Sequence, residues 1–196
     1  AAPRHELWRH PVTRYADRRE TSFTPELTIQ CPQIFFDPIL LRHARSLPGV
    51  AIRHQTELES FVQDGDAVRA RIVDLETGKR ETMTAAYLVG CDGFDGLVRK
   101  TMGVQYEGEG MLSFSVSIYF RSPELISLHD KGWARFYRIV DPGGHWGDLI
   151  AIDGRELYRL TMLDLDTGTD LESFDVASYM RRAAGRDFPY EVLSVL

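Results

Sequence analysis

The chain contains little cysteine, no long apolar run and no excess of basic residues. Its 196 residues include two cysteines, and the separation of Cys31 from Cys91 excludes the close spacing of a zinc or iron–sulfur site. No apolar run approaches the roughly 20 residues of a membrane span. The formal net charge of −6 argues against nucleic acid as a partner. We therefore expect a cytoplasmic protein with no membrane span, whose two thiols are buried and unpaired.

The sequence also lacks the spacing of a metal site. None of its six histidines pairs with another at helical spacing. Asp92 and Asp95 do not begin a calcium loop, because Leu97 and Arg99 occupy the following ligand positions. Because both patterns are missing, we expect no metal cofactor. The composition, with 43% hydrophobic and 27% charged residues, is that of an ordinary globular protein.

The hydrophobic pattern divides the chain into three blocks of mixed strand and helix. Residues 1–30 predict two or three short strands interrupted by proline. Residues 31–103 predict a helix that opens at Asp37-Pro38 and ends at Pro48-Gly49. The strands expected after this helix cover 50–54, 56–62, 67–75, 82–86 and 87–91.

Residues 104–196 carry the clearest period-two pattern. Phe114, Val116, Ile118 and Phe120 point to one side, and serines and a tyrosine alternate with them. A helix is expected over 175–185, and further strands over 133–140, 146–152, 155–163 and 191–196. The pattern predicts an α+β fold with an antiparallel or mixed sheet and flanking helices.

The segment Tyr87–Arg99 is the most informative part of the sequence. An apolar run enters the turn Asp92-Gly93 and leaves it into a short helical segment. This order predicts a buried strand with a carboxylate and free backbone N–H groups at its carboxyl end, where open α/β sheets bind ligands. Asp-Gly is also ordinary turn chemistry, so Asp92 alone does not decide between a ligand site and a simple turn.

This segment resembles the Asp-Gly motif of the FAD-dependent aromatic-ring hydroxylases, the p-hydroxybenzoate hydroxylase-like family. Asp92, Gly93 and Arg99 match the motif. Gly96 departs from it, since the family usually has serine at this position. The lost hydroxyl affects the positioning of the turn and leaves the carboxylate in place.

A second similarity lies at residues 31–44, which resemble the glutamine-centred start of a helix in the same family. Gln33 takes the place of the glutamine that lies against the flavin. The similarity extends loosely through 114–163 and is weak over 1–30. It therefore covers most of 31–196.

The resemblance implies FAD as the cofactor, NAD(P)H as the reductant, O2 as the oxidant and a phenolic or other aromatic substrate. Gln33, Asp92, Gly93 and Arg99 are the implied cofactor-binding residues, and Asp92 would help couple the flavin to the nicotinamide. The implied domains are substrate-domain strands at 1–30, an incomplete α/β FAD-binding domain at 31–103 and a substrate-binding sheet at 104–196.

Four aromatic residues of the third block are candidates for the substrate pocket. They are Tyr119, Tyr137, Trp146 and Tyr158. Large aromatic side chains on strands also pack in ordinary cores, and this alternative stays open.

The chain has no Gly-x-Gly-x-x-Gly turn, which binds the FAD pyrophosphate in complete enzymes of this kind. We expect it to be the middle of a longer polypeptide and inactive alone. Sheet edges left open by missing neighbours make a homodimer one hypothesis. Two other functions stay open: a related flavoprotein with other oxidative chemistry, such as halogenation or epoxidation, and a non-enzymatic antiparallel-sheet binding module with a closed core.

Overall fold

The structure is a computed structural model that describes residues 5–10 and 31–196. These residues belong to two compact units, one formed by 37–110 and one that includes 111–196. Both units are built on antiparallel sheets with few helices, which confirms the predicted α+β fold. The strands predicted within 1–30 fall mostly outside the described residues, and 5–10 form no helix or strand.

Helix α1 (Gln33–Ser46) leads into the unit of 37–110. The predicted opening of this helix at Asp37-Pro38 is wrong, and Pro38 lies inside the helix. The reason is that the carbonyl of Pro32 already accepts the N–H groups of Phe35 and Phe36, at 3.0 and 3.1 Å. The helix therefore starts one turn earlier, and Gln33 is its first residue.

A three-stranded antiparallel sheet follows α1, and the strands predicted over 56–62, 67–75 and 82–86 are confirmed with small shifts of their ends. Its strands in spatial order are β1 (Thr56–Asp64), β2 (Ala67–Asp74) and β3 (Arg80–Ala85). A β-bulge interrupts β1 at Glu59. The Glu59 carboxylate accepts hydrogen bonds from Arg71 and Arg80, each pair 2.8–2.9 Å apart. These bonds join all three strands on one face of the sheet.

The strands predicted over 50–54 and 87–91 do not form. Both segments lack regular secondary structure, and neither pairs with another strand among the described residues. A strand of a parallel sheet exists only with a hydrogen-bonded neighbour, and the described part of the chain places none beside them. Their side chains are consequently exposed, with Tyr87 at 87% and Val89 at 79%. The short helix α2 (Leu97–Thr101) follows the second segment.

The unit that includes 111–196 holds a five-stranded antiparallel sheet of order β5-β6-β7-β4-β8. Between β4 and β5 lies one 3₁₀ turn, Leu125–Leu128, and between β7 and β8 lies α3 (Val176–Ala184). The strands are β4 (Val116–Arg121), β5 (Phe136–Asp141), β6 (Gly144–Ala151), β7 (Leu157–Met162) and β8 (Glu191–Val195).

One face of this sheet forms the main hydrophobic core. The predicted alternation is confirmed, because Val116, Ile118 and Phe120 are at most 1% exposed. Ile118 lies opposite Leu160 of β7, which is also fully buried. Helix α3 contributes Met180 to the same core.

Helix α3 has the predicted ends. The carboxylate of Asp175 accepts the N–H of Ser178 at 3.0 Å and caps the first turn. Gly185 ends the helix with a left-handed φ of 74°. Both signals are local in sequence.

The predicted burial of the two cysteines is wrong, since Cys31 and Cys91 are both exposed and unpaired. The prediction for Cys91 depended on a covered strand at 87–91, and that segment has no described neighbour. Among the described residues, no helix combines the length and apolar character needed to cross a membrane.

Candidate cofactor site

The Asp92-Gly93 turn joins the segment at 87–91 to α2. Gly90 lets the segment approach the helix, because a Cβ atom at Gly90 would lie 2.6 Å from the Cβ of Val98. Gly93 adopts a φ of 81°, which favours glycine, and nothing lies within 4 Å of the position its Cβ would take. The main chain at the tip of the turn is therefore open.

The Asp92 carboxylate binds the backbone of α2. Its Oδ2 atom accepts the N–H of Val98 at 3.0 Å. Gly96, the N-cap residue of α2, has no side chain with which to cap the helix. A Cβ at Gly96 would lie 2.2 Å from Oδ1 of Asp92, so the carboxylate occupies the space next to this glycine.

Arg99 holds the other side of the turn. Its Nε donates to the carbonyl of Phe94 at 3.1 Å, and its Nη1 donates to the carbonyl of Val104 at 2.6 Å. The guanidinium also lies 4.8 Å from the ring centroid of Tyr106, which stacks on Phe94 at 4.5 Å. The predicted motif residue thus connects the turn to the segment that follows α2.

Exposed apolar side chains lie in the turn and in the segment before it. Tyr87, Val89 and Phe94 are 87%, 79% and 70% exposed. The nearby Asp95 pairs with Lys100 at 2.7 Å, and this hydrogen bond holds the pKa of the Asp95 carboxyl below its ordinary value. The open main chain at Gly93 and the exposed side chain of Phe94 next to it are available to a flat, partly apolar ligand.

Gln33 is exposed at the first position of α1. The apolar residues Ile34, Phe35 and Phe36 beside it are also exposed, at 44–49%. An exposed amide among apolar side chains is available to a ligand. The cofactor role of Gln33 stays a prediction.

The four predicted pocket aromatics do not share one surface of the five-stranded sheet. Tyr158 lies on the core face, is 1% exposed and stacks on Phe120. Tyr119 neighbours Phe120 on β4 and therefore points to the opposite face. Trp146 contacts α3 through Tyr179, at 6.3 Å between ring centroids.

The fourth aromatic, Tyr137, has a structural hydrogen-bonding pattern. Its hydroxyl donates to the carbonyl of Gly132 at 2.9 Å and accepts the N–H of Ala134 at 2.7 Å. Burial raises the pKa of this hydroxyl above its ordinary value. Of the four aromatics, Tyr119 is the one on the polar face of the sheet.

That polar face contains residues that the sequence analysis missed. Tyr119 lies opposite Arg159, and the hydroxyls of Ser117 and Thr161 form a hydrogen bond of 2.9 Å. Burial raises the pKa of the Tyr119 hydroxyl. The period-two pattern over 155–163 could have placed Arg159 and Thr161 on one face, but only the register with β4 places them beside Tyr119. We refer to these four residues as the polar patch.

Among the described residues, no group of three or more histidine, cysteine or acidic side chains could hold a metal ion.

The structure contains two candidate ligand-binding surfaces, each within its own unit: the open Asp92-Gly93 turn and the polar patch. Within the described part of the chain, neither contains a nucleophile activated by a neighbouring base. Both surfaces are suited to binding and orienting a ligand.

Comparison with known proteins gives a family match over nearly the whole chain. The family model of the FAD binding domain matches residues 4–186. A Streptomyces halstedii protein named as a polyketide hydroxylase is 35% identical over 171 residues, which are 83% of this chain and 30% of the relative. A 4-methyl-5-nitrocatechol 5-monooxygenase of a Burkholderia species is 37% identical over 100 residues, 51% of this chain and 18% of the relative.

Solved structures show the same fold. RebC with bound 7-carboxy-K252c is 36% identical and superposes with a TM-score of 0.82 over 98% of this chain and 35% of that chain. Aklavinone-11 hydroxylase in complex with FAD and aklavinone is 27% identical, with a TM-score of 0.71 over 82% of this chain and 31% of that chain. The chain thus spans about a third or less of the length of these relatives.

Proposed function

The chain belongs to the family of FAD-dependent aromatic-ring hydroxylases, and from this membership we propose that the protein containing it hydroxylates a phenolic or other aromatic substrate. The reaction would use FAD, NAD(P)H and O2. FAD, when bound, supplies the redox chemistry that activates O2. The observation that carries the proposal is the open Asp92-Gly93 turn, which lies within the matched family region.

The residues at the turn fit such a cofactor. The main chain at Gly93 is open, and the exposed Phe94 and Tyr87 offer apolar contacts to a flat ring system. Gln33, Asp92, Gly93 and Arg99 are our candidates for the cofactor-facing part of the chain. We assign 31–103 to the FAD-binding domain and 104–196, with the strands expected in 1–30, to the substrate domain.

We assign the polar patch to the substrate. Arg159 is exposed, and no ion pair engages its guanidinium within the described residues. Arg159 lies opposite Tyr119 in the register of β4 and β7, and an exposed guanidinium on this face suits a phenolate or carboxylate substituent of an aromatic ring. The core face of the same sheet packs against Met180 of α3 and keeps the polar patch in place.

The exposed apolar residues of the segment at 87–91 argue against the alternative of a closed, non-enzymatic binding module. A closed binding module would cover its apolar side chains, and Tyr87 and Val89 are instead among the most exposed residues. Such surfaces are typical of a domain that packs against further structure.

We also propose a homodimer and a cytoplasmic location. Light scattering on the purified protein tests the homodimer.

The test uses the complete product of the gene that encodes this chain. We expect a yellow protein with bound FAD that oxidises NADH or NADPH faster when an aromatic substrate is present. Mass spectrometry should show the addition of one oxygen atom, and NMR should show it as a hydroxyl group on the aromatic ring. A halogenated product, or an epoxide of the same mass as the hydroxylated product, would indicate the related flavoprotein alternative. Arg159→Met should raise the KM for an anionic substrate, while the matched control Arg155→Met, in the β6–β7 turn, should not.

A further inference from the structure

We infer that Arg135 is a second anion-binding residue of the proposed substrate surface, and that the substrate is an aromatic compound with two acidic groups, one paired with Arg135 and the other with Arg159. This inference deepens the proposed function and rests on it. Its basis is the register, burial and charge of residues on β4 to β7, all within the unit that includes 111–196.

A row of side chains crosses four strands on the face of the sheet that carries the polar patch. Tyr119 of β4 lies opposite Arg159 of β7. Arg159 lies opposite Ile150 of β6, which in turn lies opposite Phe136 of β5. Residues directly opposite each other in an antiparallel sheet share a face. We refer to these four residues as the cross-strand row.

The half of the cross-strand row on β5 and β6 is apolar. Phe136 is 48% exposed, so its side chain is available to a ligand. Ile150 is buried, although it lies outside the main hydrophobic core. The row therefore has an aromatic ring at one end and the guanidinium and hydroxyl of Arg159 and Tyr119 toward the other. This arrangement suits an aromatic skeleton with a polar substituent.

Arg135 adds a second positive charge at the Phe136 end of the row. Its guanidinium carbon lies 5.4 Å from the centroid of the Phe136 ring. Its backbone carbonyl accepts the N–H of Ala151 at 2.8 Å, which fixes this residue against the end of β6. The Nε atom is buried and has no hydrogen-bond partner among the described residues. A buried donor without an acceptor costs free energy, and an anion bound there would offset that cost.

Arg135 and Arg159 also share a lack of acidic partners. Another arginine of this face, Arg138, approaches Asp148 to 4.0 Å. Within the described residues, neither Arg135 nor Arg159 takes part in such a pair, and burial lowers the pKa of the Arg135 guanidinium with no carboxylate to offset it. Charge-assisted hydrogen bonds from arginine to carboxylates are strong. Two unpaired guanidiniums near one row of side chains therefore favour a ligand with two negative groups.

The spacing of the strands indicates the size of this ligand. Only β6 lies between β5 and β7, so the backbones of Phe136 and Arg159 are about 10 Å apart, two strand spacings. This distance exceeds the length of a single benzene ring. We expect a skeleton of two or more aromatic rings that lies along the cross-strand row, with one acidic group toward each arginine.

The experiment measures binding of two probes to the complete gene product by isothermal titration calorimetry. One probe is a naphthalene dicarboxylate with its carboxylates at opposite ends of the two rings. The other is naphthoate, which has one carboxylate on the same skeleton. Arg135→Met and Arg159→Met each remove a charge and keep an apolar side chain. Arg155→Met, in the β6–β7 turn, is the matched control.

We expect the unsubstituted protein to bind the dicarboxylate about tenfold more tightly than naphthoate, the effect of one additional charge-assisted hydrogen bond. This preference should disappear in Arg135→Met, because Arg159 alone is left to pair with a carboxylate. It should disappear in Arg159→Met for the same reason. Arg155→Met should keep it.

A purely structural role of Arg135 gives a different result. Arg135→Met would then weaken the binding of both probes by the same factor, and the preference for the dicarboxylate would remain. That result would overturn the inference, and so would an unsubstituted protein that binds the dicarboxylate no more tightly than naphthoate.

Two further outcomes are covered by the same titrations. If Arg135→Met does not fold, Arg135→Lys takes its place, and the preference should fall because an ammonium group cannot form the paired bonds of a guanidinium. An unchanged preference in Arg135→Lys would then contradict the inference. A gene product that prefers the dicarboxylate but binds no FAD would contradict the proposed function and still support anion binding by Arg135.

Discussion

Gly90 and Val98 are in such close contact that a Cβ on Gly90 would lie 2.6 Å from the Cβ of Val98. Both atoms are fixed to the backbone, so a side chain at 90 cannot be accommodated by rotating a side chain. The segment at 87–91 before the Asp92-Gly93 turn would have to move away from α2. The contact explains why a glycine stands within an otherwise apolar run.

Gly90→Ala should therefore lower the free energy of unfolding of the unit of 37–110 by about 1–3 kcal/mol, the usual cost of overpacking. Urea denaturation measures the change, and amide exchange over 87–98 localises it. The control is Gly168→Ala, because nothing lies within 4 Å of the added Cβ and its φ is not positive. Equal stability of the two variants would show that the segment moves freely.

Arg99→Lys should loosen the chain after α2. The guanidinium spans the carbonyls of Phe94 and Val104, and an ammonium group cannot form both bonds with the same geometry. We expect a loss of about 1–2 kcal/mol and faster limited proteolysis near Val104. Lys100→Gln is the control, since its exposed pair with Asp95 should contribute less than about 1 kcal/mol. If Arg99→Lys is cleaved near Val104 at the same rate as the unsubstituted chain, the two hydrogen bonds of the Arg99 guanidinium do not hold this segment in place.

Leu160→Ala should destabilise the five-stranded sheet strongly. Leu160 is fully buried and lies opposite Ile118 and Leu149 on neighbouring strands. The cavity should cost about 2–5 kcal/mol of unfolding free energy. Leu193→Ala makes the same chemical change on β8 at a side chain that is 38% exposed, and should cost distinctly less. Thermal unfolding of both variants tests this ranking, and a reversed order would contradict the described core.

Asp153 should make the stability of its unit depend on pH in the acid range. Burial raises the pKa of this carboxyl, but the N–H groups of Leu157, Arg155 and Glu156 outweigh it, so the pKa lies below its ordinary 3.8. A lowered pKa stabilises the folded state above the ordinary value, and this contribution is lost as the pH falls through the folded-state pKa.

Asp153→Asn should consequently be less stable than the unsubstituted chain near neutral pH, and the difference should shrink below pH about 4. Chemical denaturation at a series of pH values measures it. Asp166→Asn, at an exposed carboxylate beyond the other end of β7, is the control. A difference that stays constant with pH would show that ionisation of Asp153 does not contribute.

Local patterns in the sequence were sufficient to predict much of the fold. The alternation over 113–120 identified a strand with one buried face, and Asp175 and Gly185 identified both ends of α3. Each of these signals depends on neighbours within a few positions.

The predictions that failed concern segments whose structure depends on residues far away in the sequence, or on a residue outside the motif from which the prediction was made. The segments at 50–54 and 87–91 have strand-like composition, but a strand needs a paired neighbour, and the described residues provide none. The early start of α1 depends on the carbonyl of Pro32 rather than on the Asp37-Pro38 signal. Capping by Asp92 could not be predicted, because it depends on how the turn folds back onto Val98.

The local structure of the candidate site was predicted in part. A turn at Asp92-Gly93 and a short helix after it are present where the motif placed them, and the cofactor-binding roles of Gln33, Asp92, Gly93 and Arg99 stay predictions. The polar patch needed the register between β4 and β7. Tyr119 was found by residue type, whereas Arg159 was found only through its position opposite Tyr119.

The most direct test of the proposed function is the visible absorbance spectrum of the purified complete gene product, recorded before and after addition of NADH or NADPH under nitrogen. The proposal predicts oxidised-flavin bands that bleach on reduction, faster when an aromatic substrate is bound, and return when O2 is admitted. A colourless protein that gains no flavin bands when reconstituted with FAD would contradict it.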